Sequence, residues 1–165
     1  MPYTPNYAAG DILTAAAMNS IGEAWTSFTP TWTAATTNPI IGNGILTGAY
    51  CQINKVVVAR YKIVAGSTTT YGAGDYYVSL PVAANSAYVA RDAVGSGILY
   101  NYTVDDYVVT VGFESTSRLL FWMPKAVYTA ISTADNIVAQ FWSPTTPFTF
   151  GTSDEMHFSI TYQAA

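Results

Sequence analysis

The side chains best equipped for chemistry are few and scattered. A single histidine, His157, sits in MHFSITYQ, where alternation places it with Ser159 and Thr161 on the polar side of a strand. It has no H-x-x-x-H or H-E-x-x-H partner to hold zinc, and it reads as an exposed strand residue. Cys51, the one cysteine, has no second thiol for a disulfide or a thiolate zinc site. Nothing in the sequence places a histidine or a cation beside it, so it reads as a small half-buried apolar side chain next to a turn.

Asp105-Asp106 and Asp154-Glu155 are adjacent carboxylates. Neighbours on a strand point to opposite faces, so such pairs are expected in solvated turns and not as acid–base couples, and the D-x-D-x-D-G spacing of a calcium loop is missing. Gly42-Asn43-Gly44 and Gly72-Ala73-Gly74 lie between no strand and helix, and they read as turns, not phosphate cradles. No G-x-S-x-G elbow occurs, and Asn101-Tyr102-Thr103 fits a glycosylation acceptor only as a pattern. These residues lead to the expectation of a protein that is not an enzyme and carries no cofactor or metal.

Aromatic residues offer recognition chemistry instead. Thirteen tyrosines and four tryptophans occur in 165 residues. Trp25, Trp32, Trp122 and Trp142 are expected as anchors of the core or of a subunit interface. Tyr71, Tyr77, Tyr88 and Tyr102 fall in or near loops and are the candidates for stacking on sugar rings of a host-surface polysaccharide.

The elements that must position these groups are mostly strands. Half of the residues are hydrophobic and only 10% are charged, which is enough for a real core and excludes charge-driven disorder. The formal net charge is −4 with no Lys/Arg cluster, so nucleic acid is not expected as a partner. No apolar run reaches the roughly 18 residues that a membrane helix needs, and MPYTPNYAAGD has the character of no signal peptide. So little charge suits a surface that is partly hidden in an assembly.

Residues 1–25 read as an arm. Gly10-Asp11 precedes ILTAAAMNSIGEAW, where Thr14 is a candidate N-cap. Met18, Ile21 and Trp25 give this short helix an apolar stripe that must dock on something, and Ile12, Leu13, Met18, Ile21 and Trp25 are the candidate docking residues of the arm. Residues 26–165 form the second unit. Pro30 and Pro39 confine the Thr-rich stretch around them to edge or irregular strand. Two strands then turn at Gln52-Ile53-Asn54-Lys55, with Asn54 best able to take positive φ. In the second, Val57, Ala59, Tyr61 and Ile63 alternate with Val58, Arg60 and Lys62. Further strands are expected near 76–80, 87–94, 98–103, 107–113, 118–123, 136–142 and 156–163, with Gly95-Ser96-Gly97 and Val104-Asp105-Asp106 as turns. That spacing predicts an all-β fold, an antiparallel jelly-roll-like β-sandwich with a short N-terminal arm carrying one small helix.

Several of these stretches together resemble a known group. AGDILTAAAMN is similar to the N-terminal arm of many bacteriophage tail and virion-surface proteins. Trp25-Thr26-Ser27-Phe28-Thr29-Pro30-Thr31-Trp32, Gly42-Asn43-Gly44 and Leu46-Thr47-Gly48-Ala49-Tyr50 resemble a β-domain of actinobacterial phages and prophages. That group's hairpin turn reads Q-I-G-K, where this chain has Gln52-Ile53-Asn54-Lys55; Gly and Asn both accept left-handed backbone. Residues 66–81 and 160–165 match its style, and residues 82–145 are the least distinctive. The resemblance implies a homotrimer on the virion surface, contacting other virion proteins and with no catalytic residues to carry over. The expected role is a minor tail or receptor-binding protein. The alternative is a capsid decoration protein gripping the head through its arm, which gains from the lack of any coiled coil or collagen-like repeat in these residues.

Overall fold

The computed structural model describes residues 12, 14, 25–127 and 136–165. Among these are ten strands and no helix: β1 (Thr26–Phe28), β2 (Trp32–Ala34), β3 (Ile45–Ile53), β4 (Val56–Val64), β5 (Tyr76–Ser79), β6 (Ala93–Asn101), β7 (Asp105–Ser115), β8 (Arg118–Val127), β9 (Asn136–Phe141) and β10 (Glu155–Gln163). The helix expected between Thr14 and Trp25 falls almost wholly outside the described residues.

Alternation decides the central strands. In β4, Val57, Ala59, Tyr61 and Ile63 are buried, and in β10 so are Met156, Phe158, Ile160 and Tyr162. The two strands pair antiparallel with Tyr61 opposite Phe158, whose rings stack at 4.2 Å. The β3–β4 hairpin turns at Asn54-Lys55 with Asn54 at φ 54°, the left-handed geometry that asparagine tolerates best after glycine.

All strands belong to one antiparallel sheet in the order β1-β3-β4-β10-β6-β7-β8-β5-β2, with β9 also paired to β8. The all-β, antiparallel expectation holds. The jelly-roll sandwich is not what the pairing draws, because no second, separately paired sheet exists among the described residues. The sheet curls instead, and the chain itself dictates this. β1 and β2 lie at opposite edges yet are joined only by Thr29-Pro30-Thr31, a reach of no more than about 14 Å from Phe28 to Trp32. The two edges must therefore approach each other. Thr31 and Ser79 exchange hydrogen bonds at 2.9 and 3.0 Å, and Tyr61 Oη donates across the interior to the Ser79 carbonyl at 3.3 Å.

The core lies inside the curl. Trp32, Tyr76, Trp142, Phe121 and Phe158 form a chain of ring contacts, with Trp142 fully buried. Burial pushes the Tyr61, Tyr76 and Tyr162 hydroxyls far above their ordinary range, so all three remain neutral donors to carbonyls. Residues 82–85 close one end: Tyr162 Oη donates to Val82, and Ala84 bridges to Ala164.

Two strand expectations fail for identifiable reasons. Residues 87–92 form turns, closed by Asp92 Oδ2 accepting from the Val89 amide. Gly95-Ser96-Gly97 is the middle of β6 and not a turn. A Cβ on Gly95 would stand 2.0 Å from the Ser159 carbonyl oxygen, so glycine here allows β6 and β10 to approach.

Candidate functional site

The chemistry-bearing residues are placed apart. His157 is exposed on β10, as alternation requires, and shares the Glu155 carboxylate with Lys62, whose ammonium lies 3.4 Å away. The hydrogen bond to His157 above all, with help from Lys62 and against some burial, lowers Glu155 below its ordinary value of 4.5. Cys51 is half-buried on β3 opposite Val58. Asp105 and Asp106 are exposed at the start of β7. Asp154 departs from the solvated-turn expectation: it is buried, and its carboxylate accepts from the Gly151 and Tyr102 amides at 2.6 and 2.8 Å. It is a pin between two loops. The Gly42–Gly44 segment is a turn as expected, whereas Ala73 between Gly72 and Gly74 pairs antiparallel with Thr37; Gly42, Gly72 and Gly74 are at positive φ. Among the described residues no group of three or more His, Cys, Asp or Glu is placed to hold a metal.

The four candidate tyrosines do not converge. Tyr71 faces Phe150 and takes the Tyr76 hydroxyl on its carbonyl. Tyr88 packs on Phe113 at 4.5 Å and accepts from the Gln163 amide. Tyr77 lies beneath the Arg118 guanidinium at 5.0 Å. Only Tyr102 is more than half exposed, edge-on to Tyr100. Of the arm residues, Ile12 is exposed and Trp25 is half-exposed beneath Arg60 at 4.8 Å, while Leu13, Met18 and Ile21 lie outside the described residues. Trp32 and Trp142 are core anchors as expected; Trp122 is half-buried and covers Gly112.

What the fold does assemble is a continuous outer face. Register places Arg60, Ser159, Ser96, Thr110, Trp122 and Phe141 side by side across β4, β10, β6, β7, β8 and β9. The next row is Lys62, His157, Ile98 and Val108. The small residues of the first row form the floor of a shallow trough of about 570 Å³, rimmed by Arg60, His157, Ile98 and Val108. Val108 is 70% exposed and Ile98 45%, directly opposite one another on adjacent strands. Arg60 and Lys62 lie two strands away on β4, Lys62 paired with Glu155, and Asp106 lies one row along β7 in register with Tyr100 and Glu155.

Sequence reasoning did not single out Ile98 and Val108. Both stand on the side of their strands that alternation reserves for polar residues, a signal visible in YVVTVGF as an apolar residue out of phase. The register that unites them with His157 and Arg60 could not be read from one strand at a time. No family model, no curated protein and no solved structure matches the chain.

Proposed function

We propose that this chain is a structural protein of a bacteriophage particle, displayed on the virion surface as a homotrimer and acting at the tail end by attachment to the host, without turnover. The assignment to phage virions rests on the resemblance of the Trp25–Trp32, Gly42–Gly44 and Leu46–Tyr50 segments. The structural observation that carries the assembly reading is the exposed apolar Ile98–Val108 pair, cross-strand neighbours in the middle of the sheet's outer face. An apolar patch in the middle of a sheet's solvent face suits a protein partner. The occupant is a second copy of this chain. Arg60 and Asp106 give this face charges of both signs, which a head-to-tail neighbour in a ring complements.

A second reading, head decoration, is favoured by one specific observation. Tyr71 and Tyr88 are spent on packing within the body, which leaves fewer loop aromatics for a host glycan. Gold-labelled antibody raised against the purified chain, applied to purified particles, separates the two. Label at the tail tip supports attachment. Label spread over the head replaces it with decoration, and particles without label overturn the virion assignment.

A further inference from the structure

A notch opens where two strands share one edge of β8. β5 pairs with Arg118–Leu120 and β9 with residues 122–127, so neither covers Phe121. Trp142 fills the inner side of this gap: its amide donates to the Phe121 carbonyl at 3.1 Å, and its carbonyl accepts from Tyr76 at 2.9 Å. The outer side remains as a notch of about 170 Å³, lined by Asp75, Tyr77, Arg91, Glu114, Leu120 and Phe141.

The polar groups of the notch are unequally committed. Arg118 stands over Tyr77 and is ion-paired with Glu114 at 3.0 Å, which occupies both charges. Arg91 stands over the Phe141 ring at 5.1 Å. Among the described residues, neither the Arg91 guanidinium nor the Asp75 carboxylate has a hydrogen bond or an ion pair with another side chain. Arg91 also holds φ at 75°, an unfavourable backbone for a residue with a Cβ, fixed by its amide donating to the Phe113 carbonyl at 2.8 Å. Strain at a cleft, together with one uncommitted donor fork and one uncommitted acceptor, points to a ligand.

We propose that this notch is a subsite for one neutral pyranose ring at the end of a host-surface polysaccharide. The inference rests on the attachment reading above and names its ligand class. Vicinal sugar hydroxyls both donate and accept, so they pair at once with the Asp75 carboxylate and the Arg91 guanidinium. Tyr77 and Phe141, which line the notch, supply apolar contact for the C–H face of the ring. The volume is below the roughly 300 Å³ at which drug-sized pockets begin, which restricts the site to a single ring. Asp75 and Arg91 sum to no net charge, so neither an acidic nor an amino sugar gains a net electrostatic advantage over a ring without charge.

Saturation-transfer NMR on the intact chain tests this, with glucose, galactose, mannose, N-acetylglucosamine and glucuronate as probes. Asp75→Asn and Arg91→Gly are the test variants, and Val104→Ser at a distant exposed turn is the control. Glycine suits φ 75°, so Arg91→Gly keeps the fold. At least one neutral sugar is expected to receive transfer, with affinity about tenfold weaker in each notch variant and unchanged in the control. Transfer to no neutral sugar, transfer to glucuronate alone, or binding indifferent to both notch variants overturns the assignment. Label at the tail tip with no sugar bound removes the notch and leaves attachment standing. Sugar bound by a protein that labels no particle removes the virion reading and leaves the notch.

Discussion

Glu155 binds both Lys62 and His157 on the outer face of β10, and its lowered pKa ties this small cluster to stability. Because the folded value lies below the ordinary 4.5, the unfolded chain binds more protons in the window between the two. Stability from this carboxylate is therefore complete above the unfolded value and is lost as pH falls through the folded one. Melting temperatures of wild type and Glu155→Gln are expected to differ at about pH 6 and to converge in strong acid. A constant gap at all pH values would remove Glu155 from the acid response. The cluster lies at the surface with its side chains only partly covered, so the gap at neutral pH is expected to be small. Alternation put His157 on this face from sequence alone, whereas its sharing of Glu155 with Lys62 depended on the β4–β10 register. The notch was less legible still. Tyr77 was singled out for its type, but Asp75, Arg91, Glu114 and Phe141 come from four separate segments that only the fold brings together.

The elements that were readable are those whose faces differ most. β4 and β10 declare themselves by strict alternation, and Pro30 separates the short strands β1 and β2, which lie at the two ends of the strand order. β6 was unreadable because Gly95 and Gly97 carry two meanings, a turn or a close strand approach, and only β10 selects the second. Gly95→Ala is expected to destabilise by about 1–3 kcal/mol in urea unfolding, since the new methyl meets first the Ser159 carbonyl, a backbone atom that cannot turn aside, and then Ile160. Unchanged stability would mean that β6 and β10 can separate freely there. Trp142 fills the gap between β5 and β9 on the edge of β8 and touches Trp32, Tyr76, Phe121 and Phe150. Trp142→Ala is expected to cost about 3–5 kcal/mol by the same measurement. A loss under about 1 kcal/mol would show that the wedge does not hold the shared edge of β8.

At the scale of the whole molecule, the short β1–β2 connection and the continuous strand order make a curled sheet with its aromatic core inside. A sequence with strands at regular spacing fits a sandwich and a curled sheet equally well, because period-2 patterning records which residues face inward and not how the sheet closes. The outer face is where the fold meets its proposed role: Ile98 and Val108 stay exposed on a chain with only 10% charged residues. Sedimentation velocity on the purified chain, wild type beside Val108→Lys, addresses that claim most directly. Lys at this exposed strand position leaves the core untouched, so both proteins should melt alike. The wild type is expected at three times 17.7 kDa and the variant at 17.7 kDa. A wild type that sediments as a single copy, or a variant that remains trimeric, would contradict assembly through this face.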